Sequence, residues 1–451
     1  MHLVVHTQRD RGDPKRAFLR LVRPTTVVLL FAVLTGCATF RTDASYHPES
    51  INAVRFRDRA VSRMDADVRV TVAVPTKEEI QSLFDVDLIE REIQPVWVKV
   101  ENHSEKTFYL LSAGTDPNYF SPLEAVYAVR GGLFDVYRDA MERHFRAVNF
   151  KNPIKPDTAV TGFVYTNLDE GEKVVQIDLI ANEQVKFFTF HIQIPGMRVD
   201  YGMLDFETLY PNEKIVEVDE EKLKAALEAL PCCTTDEKGS EFGDPLNLVV
   251  IGEFTDITAA FARRGWLPAE ETYSTAVWKT IKSFLFGSRY RYSPVSPLYF
   301  ESRRQDLARQ KPRHDIHERN HLRLWYSRLR YQGKPVFVGQ ISRDIGVRFT
   351  SEAWPPVTHK IDPDIDEARG SLVEDLIYSQ MLAKVGWAKG VGRARPSDPR
   401  ANLTGDPYFT DGYRIVLIIE KGPVAMNQLQ TFLGEEPEAF SISTSLQPDE
   451  N

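Results

Sequence analysis

The chain has 451 residues, more than one ordinary core organises, and its 42% apolar and 27% charged residues mark a folded rather than a disordered protein. A formal net charge of -8, with no zinc-finger spacing, phosphate loop or heptad run, excludes a general nucleic-acid binder. No GxSxG elbow or HExxH motif points to a familiar hydrolase.

The first predicted element is an export signal. Lys15, Arg16, Arg20 and Arg23 precede the apolar run Val27 to Leu34, which is shorter than the roughly 20 residues that span a bilayer. Leu34-Thr35-Gly36-Cys37 is similar to a bacterial lipobox, which implies cleavage after residue 36 and a diacylglycerol on the Cys37 thiol. The expectation is a lipid-anchored protein of the cell envelope that faces the periplasm. Ala38, in place of aspartate, favours the outer over the inner membrane. Residues 1–36 carry six Lys/Arg and two Asp/Glu, so their removal leaves a still more acidic chain, and the expected membrane contact runs through lipid rather than a basic patch.

Residues 37–60 read as a polar tether. DVRVTVAV from Asp67 alternates like a strand, and Thr76 with Glu79 forms a capping box that opens a short helix. PVWVKVEN, TGFVYTN, KVVQIDLIA and VKFFTFHIQIPG alternate again, and residues 133–148 have helical spacing. His191 falls on one of these strands. The whole predicts an immunoglobulin-like β-sandwich with a helical insertion over 61–230. Pro231 stops the charged helix VDEEKLKAALEAL, and 231–243 is a loop rich in turn formers. Within it Cys232 and Cys233 are adjacent, either a strained vicinal disulfide or two thiols.

An α+β domain is expected over 244–433. Its elements are an apolar strand NLVVIGEF, a helix headed by Asp256, a hairpin turning at Gln332-Gly333, a helix after Asp362, and a strand YRIVLIIEKG. Residues 434–451 read as a disordered acidic tail. The stretch HKIDPDIDEARG, His359 to Gly370, carries three alternating aspartates. A calcium loop would need glycine where Glu367 stands and glutamate where Val373 stands, so that reading fails. A helix start fits. Asp362 serves as cap, Pro363 takes the first helical position, Asp364 and Asp366 face the positive end of the dipole, and Gly386 is the predicted stop. His314, His317 and His321 have helical spacing, but Pro312 before them and the strand HLRLWY after argue against a helical zinc site. His359 has no capping task. The hypothesis is that His359 and His321 converge with Asp362, as ligands of a divalent metal or as an acid/base pair. Residues 288–330 hold eleven Lys/Arg against four Asp/Glu, a basic stretch in an acidic chain.

PLNLVVIGEFTDITAAFARRGW, SRRQDLARQK, HLRLWYSRLRYQGKPVFVGQISRD and HKIDPDIDEARGSLVEDL occur in that order. Together they resemble the LssY-type C-terminal domain over about residues 244–395, a third of the chain. In that family the domain stands alone or beside membrane segments resembling lipid-phosphate phosphatases, and its activity is not established. The resemblance therefore implies a membrane context without a mechanism. Arg304, Arg323 and Arg369 lie in these motifs, and guanidinium groups suit the phosphate of an anionic lipid or another envelope anion. Two readings stand side by side. One is a membrane-anchored binding or interaction module. The other is a hydrolase of lipid or phosphorylated envelope substrates built on His321, His359, Asp362 and the arginines.

Overall fold

The computed structural model describes residues 46–129, 138–194, 209–210, 214–269, 297–312, 319–349, 357–434 and 437. The export signal, Cys37, His314, His317, the acidic tail and the side chain of His359 lie outside the described residues. Met1–His47 and Pro48–Asn451 are separate units, and all the described strands and helices belong to the second. It is mostly β-sheet, with several sheets and a few helices.

In chain order the first half gives β1 (Val61–Asp65), β2 (Val68–Ala73), α1 (Lys77–Phe84), β3 (Ile93–Asn102), β4 (Tyr109–Leu110), α2 (Pro122–Val129), α3 (Arg138–Val148), β5 (Thr158–Asn167), β6 (Gly171–Ala181) and β7 (Gln184–Ile194). The antiparallel sheet β1-β2-β3-β5 and the sheet β4-β6-β7 share one apolar core. Val70, Val72, Val98 and Val100 face Val175, Ile177, Leu179 and Phe190 there, as the alternation requires. The first sheet is covered on its second face as well. Phe84 on α1, Phe145 on α3, and Phe163 and Tyr165 on β5 pack ring against ring, with Phe84 and Phe145 centroids 4.9 Å apart. The predicted capping box is present, with Thr76 accepting from the Glu79 amide and Glu79 accepting from the Thr76 amide.

The second half gives β8 (Val216–Val218), α4 (Glu220–Glu228), β9 (Cys233–Thr235), β10 (Phe242–Pro245), β11 (Leu248–Ile251), α5 (Phe254–Arg263), β12 (Leu267–Pro268), β13 (Tyr299–Phe300), β14 (Arg303–Arg304), β15 (Leu307–Pro312), β16 (Arg319–Tyr331), β17 (Lys334–Phe349), β18 (Val357–Ile361), α6 (Ile365–Tyr378), β19 (Leu382–Lys389), β20 (Arg400–Ala401), β21 (Pro407–Tyr408), β22 (Tyr413–Ile419) and β23 (Gln430–Phe432). Ten strands form one mixed sheet along β12-β15-β16-β17-β11-β22-β19-β23, with β18 added to β17 and β8 to β16. Helices α5 and α6 cover one face with Ile257, Phe261, Leu372 and Leu376. Helix α4 covers part of the other with Leu223 and Leu227. Residues 216–228, expected with the first domain, thus lie on this sheet, β8 pairing in parallel with β16.

The hairpin turns where expected. Gln332 and Gly333 both have positive φ, 51° and 75°, which is the primed two-residue turn matched to strand twist. Three boundaries differ from expectation. Helix α5 starts at Phe254 with Glu253 before it, ahead of Asp256. Helix α6 is capped by Asp364, whose Oδ1 accepts from the Asp366 amide, while Asp362 accepts from the Asp364 amide two residues earlier. It ends at Tyr378, because Gln380 with φ 59° reverses the chain. Gly386 lies inside β19, where a Cβ would meet the Phe432 carbonyl at 2.5 Å. Cys232 and Cys233 are joined as a disulfide.

The two halves meet through α5. Gln176 Nε2 donates to the Ala259 carbonyl at 2.7 Å and Arg263 Nη1 to Asp178 at 2.7 Å. His191 reaches Glu172 through Nδ1 at 3.0 Å and lies 3.2 Å from the Thr258 hydroxyl through Nε2.

Candidate functional site

Two groups of side chains carry the chemistry the sequence pointed to. The first lies on the large sheet, on the face away from α5 and α6. Along β16, Leu322, Leu324 and Tyr326 enter the apolar core while His321, Arg323 and Trp325 point the other way, as strand geometry dictates. His321 sits opposite Gln310 on β15 and Ser342 on β17. Its Nε2 is 2.6 Å from Asp344 Oδ2, and both residues are buried. Arg323 Nη1 donates to Gln340 Oε1 at 2.8 Å and lies 4.0 Å from Asp244 Oδ2. Asp244 also accepts from Asn402 at 2.9 Å. Burial pushes the Asp244 carboxyl above its ordinary range, and the Arg323 charge opposes that rise. Arg319 donates to Gln310 at 2.6 Å.

The register does not bring His359 beside His321. His359 on β18 pairs with Val347, five residues further along β17 than Ser342, about 16 Å at the ordinary rise per residue. Nor does Asp362 serve His321. Its amide donates to the Arg343 carbonyl at 2.7 Å and its carboxylate takes the Asp364 amide. The carboxylate of His321 is Asp344, which the sequence reading missed. A signal existed, since a strict two-residue hairpin at Gln332-Gly333 sets residue 344 across from 321. A register shift between Tyr326 and Arg330 moves the pairing to Ser342 and leaves Asp344 on the diagonal. Arg304 stands elsewhere, half-buried on β14 opposite Tyr299.

The second group surrounds the start of α6. Arg369 is wholly buried there. Its Nη1 donates to Asp411 Oδ1 at 3.1 Å and to the Tyr413 carbonyl at 2.6 Å, its Nη2 donates to Asp411 Oδ2, and Asp366 lies 3.5 Å away. Asp366 in turn accepts from the Thr410 hydroxyl at 2.9 Å and the Asp411 amide at 2.7 Å. Burial raises the carboxyls of Asp364 and Asp366, and for Asp366 the Arg369 charge works the other way. A cavity of about 340 Å³ adjoins this network, lined among others by Asp364, Asp366, Arg369, Thr410, Arg393 and Arg395. Arg393 and Arg395 are exposed, and no ion pair engages either among the described residues.

Among the described residues no group of three or more His, Cys, Asp or Glu is arranged to hold a metal ion. None of their helices is long and apolar enough to cross a membrane. The family described as LssY C-terminus matches residues 225–413, a span that holds both groups. This part of the chain is an LssY-type C-terminal domain. The match begins inside α4, well before residue 244, in keeping with the packing of α4 on the large sheet. A search of the curated proteins finds no match. In the LssY-type domain the arginines of the family motifs divide by burial. Arg369 and Arg323 are tied to internal partners, while Arg393 and Arg395, which make no ion pair among the described residues, come from a segment the sequence reading did not single out. The signal available there was only VGRARP, two arginines at strand spacing around an alanine.

Proposed function

We propose that this is a lipid-anchored protein of the bacterial cell envelope, facing the periplasm and held by Cys37 in the outer rather than the inner membrane. In this reading residues 61–230 begin with an immunoglobulin-like sandwich that acts as a spacer, and the LssY-type domain is a binding module for an anionic envelope ligand. One observation carries the choice of binding over catalysis. His321, Arg323 and Arg369 of the family motifs are engaged with internal partners, whereas the adjoining cavity is lined by two guanidiniums that make no ion pair among the described residues. The anchor rests on the basic n-region, the short apolar run and Leu34-Thr35-Gly36-Cys37.

A second reading, a hydrolase acting through His321, is favoured by the 2.6 Å contact between His321 and Asp344, the orientation a general base receives from a carboxylate. One set of measurements separates the two. Cells making the full chain are fed labelled palmitate, fractionated on a density gradient, and their envelope protein is assayed on an aryl phosphate and a phospholipid. The binding module predicts label in the outer-membrane fraction, loss of label in Cys37→Ser, and no turnover. Turnover that disappears in His321→Ala establishes the hydrolase instead. Label retained by Cys37→Ser removes the anchor from the proposal.

A further inference from the structure

We propose that the cavity at the start of α6 is a zwitterion site, built for a ligand carrying a phosphate and an ammonium a few atoms apart. The inference rests on the binding-module reading and names the ligand class of that same domain. It begins with the two walls. On one side Arg393 and Arg395 flank the buried Ala394, whose backbone is bridged to Thr410, so this segment is held extended. Residues at i and i+2 of an extended segment project to the same side, and both arginines line the cavity. On the other side stand Asp364 and Asp366, with Asp411 on the segment 409–411 that bridges to both walls, and among the described residues the guanidinium of Arg369 is the counter-charge paired with Asp366 and Asp411. Glu367, also on the rim, is already paired with Arg343 at 3.3 Å.

The two walls do not neutralise one another. Asp364 is fixed by the cap it makes with the Asp366 amide and by the bridge to Phe409, and Asp366 is fixed by Thr410 and Asp411. Opposite charges held apart across a gap fit a ligand that presents the reverse pattern. A plain anion meets the carboxylate wall and a plain cation meets the arginines, while a zwitterion satisfies both. The anionic end is read as phosphate because two guanidinium forks match the larger number of acceptor oxygens and the higher charge of a phosphate better than the two oxygens of a carboxylate. Arg369 also lines the cavity but is fully buried, and its terminal nitrogens donate to Asp411 and to the Tyr413 carbonyl, so it serves as a fixed internal charge rather than as a donor to the ligand.

The test uses the full mature chain carrying Cys37→Ser, so that no acyl chain contributes. Calorimetric titration compares O-phosphoethanolamine, inorganic phosphate and ethanolamine. The expected result is that phosphoethanolamine binds at least about tenfold tighter than either fragment. Arg393→Ala with Arg395→Ala abolishes binding of phosphoethanolamine and phosphate alike, with the melting temperature unchanged because both side chains are exposed. Asp364→Asn keeps a competent helix cap. It lowers phosphoethanolamine affinity and leaves inorganic phosphate affinity unchanged or raised. Sedimentation with phosphatidylethanolamine vesicles, in excess of that with phosphatidylglycerol vesicles and competed by free phosphoethanolamine, assigns the group to a lipid headgroup. Binding of the soluble compound alone assigns it to a free metabolite, and the site stands in either case. If inorganic phosphate binds as tightly as phosphoethanolamine and Asp364→Asn changes nothing, the zwitterion inference is overturned while anion binding survives. If none of the three compounds binds, both are overturned.

Discussion

Strand β3 of the first half and strand β16 of the large sheet are almost equally buried, yet they are built from opposite materials. Along the middle of β3, Val96, Val98 and Val100 fill the shared core and Trp97 packs on the aromatic face, so apolar side chains are buried on both sides there. Along β16 only one side is apolar, and the other carries Arg319, His321 and Arg323, each at most 8% exposed. The apolar strand contributes stability in proportion to buried area, roughly 25 cal/mol per Å². The charged face contributes little net stability, because desolvation offsets the attraction, but it is unforgiving of a missing partner. Equal burial thus signals different things: packing in the first half, and fixed positions of charge in the LssY-type domain.

The sharpest way to break this comparison is Arg369→Ala. It leaves Asp411 and the buried part of Asp366 without their cation, and the expected loss is about 3–5 kcal/mol in chemical denaturation. Ile177→Val, an apolar trim in the shared core of the first half, is expected to cost only about 0.5–1.5 kcal/mol. Equal losses at the two sites show that the Arg369 network is no more demanding than ordinary packing.

A middle-sized effect is expected at His321 and Asp344. With the two atoms 2.6 Å apart in a buried setting, a double-mutant cycle of His321→Ala and Asp344→Ala is expected to give a coupling of about 0.5–3 kcal/mol. A cycle of the same form on the exposed pair Arg55 and Asp58 is expected to fall near zero to about 1 kcal/mol. A His321–Asp344 coupling no larger than that of the surface pair contradicts the claim that this face holds its charges in place.

How much was legible beforehand obeys the same division. The strands of the first half and the hairpin at Gln332-Gly333 could be read because period-2 alternation and a two-residue turn are local signals. The start of α6 was legible to within one turn, and only the choice of Asp364 over Asp362 as cap was missed, since both make the same kind of side-chain bond. The site was less accessible. That Arg369 belongs to Asp411 and Tyr413, and His321 to Asp344, depends on pairing between strands and on a register shift after Tyr326, neither of which is written in neighbouring residues. Arg393 and Arg395 carried no motif at all, and only the fold sets them across a cavity from Asp364.

The smallest expected effect sharpens the comparison through pH. In the first half, His144 on α3 is half-buried with its Nε2 2.9 Å from the Leu83 carbonyl, and burial lowers its pKa below the ordinary value. The folded chain therefore keeps this imidazole neutral where the unfolded chain, near pH 6.5, begins to take up protons. Stability from this group is complete above about pH 6.5 and is lost as pH falls toward the lowered folded value. Asp306 and Asp366 in the LssY-type domain act with the opposite sign. Burial raises their pKa, so the unfolded chain releases its protons first and stability falls as pH rises from about 3.9 through their raised folded values. His144→Gln keeps a donor for Leu83 and removes the titration. Melting temperatures from pH 7.5 to 5 are expected to fall less in this variant than in the wild type. A wild-type minus variant difference that stays flat across that range shows that His144 is not held neutral by the fold.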